Sequence, residues 1–213
     1  MKVWAAVPVK SFAGAKQRLA SLLSPAQREK LAAAMLEDVL SALAASRVLS
    51  GTIVNTVEPR AAALARRCGA RVVAEDACSG HTGAVAGMAR LLAQEKCAML
   101  AVPGDIPAVT PQEIDAVAAA SLPAPSFTIV PAHDALGSNA VLCAPPQAVA
   151  LRFGDDSYFP HLGTARRAGI EPTVVHAPGI ALDIDHPPDL RAFLRAGLRS
   201  ARRTLALLDE FGM

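Results

Sequence analysis

VWAAVPVKSFAGAKQRLASLLSPAQREKLAAAMLEDVLSALAASRVLSGTIVN, residues 3–55, carries two hydrophobic rhythms in turn. Val3 to Val7 is a short apolar run of strand type, and GTIVN around Ile53 is a second. Between them Ser24, Pro25 and Gln27 spell a helix start: a capping hydroxyl, a proline in the first turn and a glutamine that reaches back. The helix is predicted to run to about Ala45, because Leu31, Met35, Leu36, Val39, Leu40 and Leu43 recur at helical spacing and form one apolar stripe. Strand, one-faced helix and strand make a parallel unit.

The unit then repeats. Pro59 to Arg67 reads as a helix, RVVA near Val72 as a strand, Gly83 to Gln94 as a helix, CAMLAV up to Val102 as a buried strand and Pro111 to Ala120 as a helix. The fold expected is α/β, a mostly parallel sheet flanked by helices. From residue 121 the rhythm changes: SFTIV and NAVLCA are strand-like with no long helix between them, and PTVV follows a helix over roughly Ser157 to Ala168. This part reads as an α+β elaboration at one edge of the same sheet. From Pro188 onward the chain reads as a terminal helix ending near Phe211. No linker or internal repeat interrupts the chain, so residues 1–213 are expected to form one domain.

Composition narrows the classes. With 52% hydrophobic residues and a net charge of +2, the chain has the balance of a soluble globular protein. Duplex nucleic acid is not an expected partner, since that binding leans on a cationic face; Arg195, Arg199, Arg202 and Arg203 read as the wet face of the terminal helix. The cysteines Cys68, Cys78, Cys97 and Cys143 form no CxxC pair and read as reduced thiols. Cys78 and His81 have a metal-like spacing but lack a partner pair. The apolar run at the start is short and lacks a cleavage site, and no run reaches the length of a membrane span. A cytoplasmic setting without a membrane is expected.

Chemistry concentrates where strands end. PVKSFAGAKQRL, residues 8–19, puts Lys10, Lys16 and Arg18 around a small-residue loop after the first strand, where backbone N–H groups can approach an anion. It matches neither GxxxxGK[ST] nor GxGxxG. The alternative for this loop is a solvated basic turn. Asp105 follows the buried strand ending at Val102, within VPGDIP, where it can hold a divalent cation beside a phosphate or serve as a turn aspartate. In ALDIDHPPDL an extended backbone would point Asp183 and Asp185 to one face and Ile184 to the core. Such carboxylates repel unless a cation lies between them, although Asp185 is also suited to cap the following helix.

PVKSFAGAKQRL, PGDIP, SNAVLCAPP, RFGDDSYFPH and LDIDHPPDL, in this order, resemble one family over nearly the full chain. It is the guanylyltransferases that activate a phosphorylated three-carbon acid in biosynthesis of the deazaflavin redox coenzyme, relatives of the sugar-nucleotide nucleotidyltransferases. The resemblance implies a Rossmann-type, nucleotide-diphospho-sugar transferase-like fold. It also implies transfer of GMP from GTP to the phosphate of 2-phospho-L-lactate, phosphoenolpyruvate or 3-phospho-D-glycerate, with release of pyrophosphate. By motif, Asp105, Asp183 and Asp185 match metal-binding aspartates, with magnesium the expected ion. Ser138, Gly154 and Ser157 match residues that hold the phosphorylated acid, and Lys10, Lys16 and Arg18 match the loop facing the GTP phosphates, with Pro8 beside them. Asp105 and the three cations form the expected catalytic set.

Arg152, with its planar fork, and His161, one turn from Ser157, are candidates for the substrate carboxylate, or else a surface arginine and a core histidine. His133, His176 and His186 read as structural. Two departures from the family pattern stand out. His81, Thr82 and Gly83 replace a Leu-Asn pair at the nucleotide-contacting helix start, which makes Thr82 and Gly83 the nucleotide-side residues and leaves guanine selectivity open. Ser138 replaces a threonine, keeping the hydroxyl. A different base or a sugar phosphate on the same fold is a second reading, and a silent nucleotide-binding protein a third. A downstream deazaflavin transferase and a homodimeric state are expected by resemblance and by the commonness of symmetric dimers.

Overall fold

The computed structural model describes residues 1–74, 80–154 and 156–213. Its sheet is built from β1 (Val3–Pro8), β2 (Leu49–Asn55), β3 (Arg71–Val73), β4 (Ala98–Ala101), β5 (Ser126–Pro131), β6 (Ser138–Ala144) and β7 (Thr173–Val174), in the order β3-β2-β1-β4-β6-β5-β7. β2, β1 and β4 run parallel, as do β5 and β7, while β6 runs antiparallel to both of its neighbours. Between β1 and β4 the chain switches from building one side of the sheet to building the other. Crevices for ligands open at such switch points, beyond the carboxyl ends of the strands.

The helices follow from the apolar stripes. α1 (Pro25–Ala44) starts with the expected reciprocal cap: Ser24 Oγ accepts from Gln27 N at 3.4 Å, and Gln27 Oε1 accepts from Ser24 N at 2.9 Å. α2 (Pro59–Arg67) and α4 (Pro111–Ala119) lie on the same face as α1. There Leu36, Val39, Leu40, Ala61, Ile114 and Val117 pack on Ala5, Val7 and Val54. The other face is covered by α3 (Gly80–Gln94), where Val85, Met88 and Leu92 meet Ala6, Ile53 and Met99. α5 (Tyr158–Arg167) packs Leu162 and Ala165 on Phe127, Ile129 and Val141 of the same face. Adjacent β1 residues thus feed opposite cores, as strand alternation requires.

Two boundaries differ from the expectation. α3 begins at Gly80, a turn earlier than Gly83. The terminal segment is two helices, α7 (Pro187–Ala196) and α8 (Arg202–Glu210), after a four-residue α6 (Pro178–Ala181) that the hydrophobic pattern does not reveal. Gly197, at φ 62°, takes the left-handed conformation that ends a helix. Arg203 is also more than a wet-face residue, pairing with Glu37 at 2.9 Å. α8 lacks a capping side chain of its own. Buried Asp38 of α1 supplies the cap instead, accepting from Arg203 N at 3.1 Å and Thr204 N at 2.8 Å. Cys97 and Cys143 are buried free thiols, and burial pushes the Cys143 thiol up to about 12. Cys78 lies outside the described residues. Among the described residues no helix is long and apolar enough to cross a membrane.

Candidate active site

A cleft of about 1580 Å³ opens along the carboxyl ends of β1 and β4. Its walls come from the loop after β1, the start of α3, the turn after β4, the start of β6 and the segment between α6 and α7. Lys16 lies at its centre. The ammonium stands 2.6 Å from Asp105 Oδ2 and 2.6 Å from Asp185 Oδ1, with the lysine side chain only 8% exposed. Burial works against the charged ammonium, but the two carboxylates carry its pKa above the ordinary lysine value. At Asp185 burial pushes the carboxyl up, and Lys16, with Arg18 and His186 behind it, brings it below the usual range. Lys16 has φ 53°, in the left-handed region, so the loop holds this residue in a conformation that side chains seldom adopt.

The acidic segment is extended, as the alternation of residues 182–185 predicts. Leu182 and Ile184 are buried in the core, and Asp183 and Asp185 line the cleft. Asp185 does not cap α7; Asp189 does, accepting from His186 N at 2.6 Å. Asp183 is fixed by buried Asn139, whose Nδ2 donates to Asp183 Oδ1 at 2.9 Å and to the Ile180 and Ala181 carbonyls at 3.1 and 2.9 Å. Burial pushes the Asp183 carboxyl above its ordinary range, and the charges of Asp105 and Asp185 add to the push against the Asn139 bond. Among the described residues no three acidic, histidine or cysteine side chains close on one point as a metal cluster. The point shared by Asp105 and Asp185 holds the Lys16 ammonium.

Beside this cluster, the start of β6 and the start of α5 bring two hydroxyls together. Ser157 Oγ donates to Ser138 Oγ at 3.2 Å, and both residues line the cleft with Gly154. The loop carrying Gly154 is tied down twice: Phe153 N donates to Thr82 Oγ1 at 3.1 Å and Arg152 N donates to His161 Nε2 at 3.0 Å.

The sequence has known relatives. Residues 2–206 match the family model described as "Guanylyl transferase CofC like". A phosphoenolpyruvate guanylyltransferase from Rubrobacter xylanophilus is 34% identical over 197 residues, spanning 92% of this chain and 96% of the relative. One from Conexibacter woesei is 35% identical over 204 residues, 95% and 91% of the two chains.

The chain belongs to the CofC-like guanylyl transferase family.

This guanylyltransferase shares its fold with solved nucleotidyltransferases. A proposed nucleotide-diphospho-sugar transferase from Desulfovibrio desulfuricans G20 superposes with a TM-score of 0.77, at 20% identity over 99% of this chain and 95% of that one. A nucleotidyl transferase from Methanothermobacter thermautotroptrophicus gives 0.63 at 21% identity, over 92% and 99%. The cleft gathers most of the residues expected from sequence. Pro8, Lys10, Lys16, Arg18, Thr82, Asp105, Ser138, Gly154, Ser157, Asp183 and Asp185 all line it. Gly83 lies in the first turn of α3 but not in the lining.

Arg152 and His161 are not brought into the lining as carboxylate ligands. Arg152 is exposed. His161 is 1% exposed and has both ring nitrogens engaged, Nε2 with Arg152 N and Nδ1 with Ser138 Oγ at 3.0 Å. Burial lowers its pKa to about 4, so the ring is neutral near pH 7. Conversely His133 and His186, read as structural, line the cleft. Arg18 donates to His186 Nε2 at 3.2 Å. Asn139 was not legible as a site residue; an asparagine within an otherwise apolar strand, SNAVLCA, is the signal that points to it.

Proposed function

We propose that this enzyme moves the guanylyl group of GTP onto the phosphate of phosphoenolpyruvate, or of a closely similar three-carbon phosphoacid, and releases pyrophosphate. The observation that carries the reading is one cleft that joins a cation-holding acidic set to a paired-hydroxyl wall. The names of the curated relatives favour phosphoenolpyruvate over 2-phospho-L-lactate and 3-phospho-D-glycerate.

The residues fit a divalent cation, magnesium in this reading. Carboxylate oxygens of Asp105 and Asp185 already converge on one positive charge, and Asp183 adds a third carboxylate lining the same cleft. Asp105, Asp183 and Asp185 would hold the metal, which when bound neutralises charge on phosphoryl oxygens. Lys16 then exchanges its carboxylate partners for the triphosphate, together with Lys10 and Arg18. Pro8, Thr82 and Gly83 flank the nucleotide. Ser138, Ser157 and the backbone at Gly154 hold the acid, and a glycine there permits close approach.

The acid's phosphate is ionised near neutral pH, so no general base is needed. One of its oxygens bonds to the α-phosphorus of GTP while the bond from that phosphorus to the pyrophosphate bridging oxygen breaks. The work of the chain is to bring two anions into line. The product is an activated phosphoacid for a downstream deazaflavin transferase, in a cytoplasmic setting, and the enzyme is a homodimer in this reading.

The test is pyrophosphate release by purified protein with magnesium, each of the three acids offered separately with GTP, and ATP and CTP as controls. Release with GTP and phosphoenolpyruvate alone is expected. Release with another nucleotide would move the assignment to a different base and implicate residues 81–83. Asp183→Ala should abolish turnover, and full activity in that variant would refute the metal assignment.

A further inference from the structure

The Ser138, Ser157 and His161 cluster determines which way a hydroxyl hydrogen points. Arg152 N is a backbone donor with one hydrogen, and it lies 3.0 Å from His161 Nε2. Nε2 must therefore present its lone pair; a proton there would set two N–H groups against each other in a buried place. A neutral imidazole with an accepting Nε2 carries its proton on Nδ1. Nδ1 lies 3.0 Å from Ser138 Oγ, so it donates to that oxygen. Ser157 Oγ donates to the same oxygen at 3.2 Å. Both lone pairs of the Ser138 hydroxyl are then taken, and its own hydrogen is left to find an acceptor. Ser138 and Ser157 line the cleft, so the acceptor comes from a ligand there.

We infer that His161 is a positioning residue that fixes Ser138 as a one-way hydrogen-bond donor to an anionic oxygen of the phosphorylated acid. This rests on the function proposed above. The ring is held in its role by Phe153, whose ring stands edge-on at 5.2 Å between centroids, and by Phe127 at 6.3 Å. The arrangement selects against ligands that offer only a donor at this point, because two hydrogens would then face each other. A substrate phosphate or carboxylate always offers a lone pair.

His161 has two separable tasks, and amide side chains divide them. Asn puts its amide nitrogen where Nδ1 stands, keeping donation to Ser138 and losing the acceptor for Arg152 N. Gln puts its oxygen where Nε2 stands, keeping that acceptor and losing the donor. The KM for the acid is measured by pyrophosphate release at saturating GTP, in folded variants verified by thermal melting. Ser138→Ala and His161→Gln should each raise it roughly ten- to hundredfold, the range for losing one hydrogen bond to a charged group. His161→Asn, which keeps the donor to Ser138 but releases the loop carrying Gly154, should raise it clearly less than His161→Gln does, and adding His161→Gln to Ser138→Ala should change nothing further. The KM for GTP should hold throughout. Equal losses in the Asn and Gln variants, or multiplying losses in the double variant, would overturn the inference. The wild-type protein gives an independent reading by nitrogen NMR: Nδ1 of His161 should carry the proton, and a proton on Nε2 overturns the inference without any variant. A wild type silent with every acid would overturn the proposed function as well, while an active enzyme with the wrong pattern or tautomer overturns this inference alone.

Discussion

Replacing Lys16 by methionine removes the charge at the centre of the cleft while keeping the length of the side chain. Lys16 forms two contacts of 2.6 Å, with Asp105 and Asp185, whose side chains are 27% and 39% exposed. Breaking a fully buried pair costs about 3–5 kcal/mol, whereas an exposed pair contributes about 0–1 kcal/mol. The lysine is buried and its partners are half-wet, so about 2 kcal/mol is expected for the two contacts together. At roughly 2–4 °C per kcal/mol for a chain of this size, Tm should fall by about 4–8 °C in EDTA. Magnesium should then raise the Tm of Lys16→Met more than that of wild type, since the variant's carboxylates have no resident cation to give up. Differential scanning fluorimetry with and without magnesium reads both effects. An unchanged Tm in EDTA, or a drop that magnesium leaves alone, would refute the reasoning.

Gly179→Ala should destabilise the protein by about 1–3 kcal/mol and lower turnover, because a Cβ would collide with the Ala108 carbonyl and with Glu113, which accepts from Gly179 N at 2.6 Å. Denaturant melts and kcat measure the two effects. Asp38→Ala leaves the first turn of α8 without its cap and should cost about 1–2 kcal/mol, read as a lower urea midpoint at constant m. His161 gives a pH dependence whose sign follows from its lowered pKa. The unfolded ring takes up a proton near its ordinary 6.5 and the folded ring only near about 4. The neutral ring's contribution is therefore full above 6.5, is lost progressively as pH falls to 4, and amounts to about 3 kcal/mol. Urea titrations across that window should show the slope in wild type and lose it in His161→Asn.

The sheet and most helices were legible because the apolar patterns are strong. Leu31 to Leu43 could only be a one-faced helix, and Ala98 to Ala101 a buried strand. The acidic segment was legible for a similar reason, since Leu182 and Ile184 must be buried and the aspartates between and beyond them must not. What escaped is set by contacts distant in sequence. Nothing local shows that Asp38 caps a helix more than 160 residues away, or that Lys16 falls between carboxylates 89 and 169 residues along the chain. The sequence leaves His161 open between a carboxylate ligand and a core histidine for the same reason: its type fits either, and only the fold shows the buried ring engaged with a backbone amide and a serine. The break at Gly197 was missed because the apolar stripe continues on both sides of it.

β6 is the strand that runs against its neighbours, and this reversal decides which of its residues a ligand meets. The parallel strands β1 and β4 meet the cleft only with their last residues, Pro8 and Ala101, and the charged groups that follow them, Lys16 and Asp105, lie beyond the strand ends. β6 instead enters the sheet at that edge: Ser138 pairs with Pro131, Ala140 pairs with Val130, and Asn139 is the extra residue at the register shift between them. The side chains of Ser138 and Asn139 leave opposite faces, one to His161 and the other to Asp183. A one-residue slip of this strand would exchange the two, sending the amide towards the histidine and the hydroxyl towards the aspartate. The division of labour across the cleft is therefore written in the pairing register of a single strand, and a change of acceptor chemistry at this wall can come from that strand while the loops that carry Lys16 and Asp105 stay as they are.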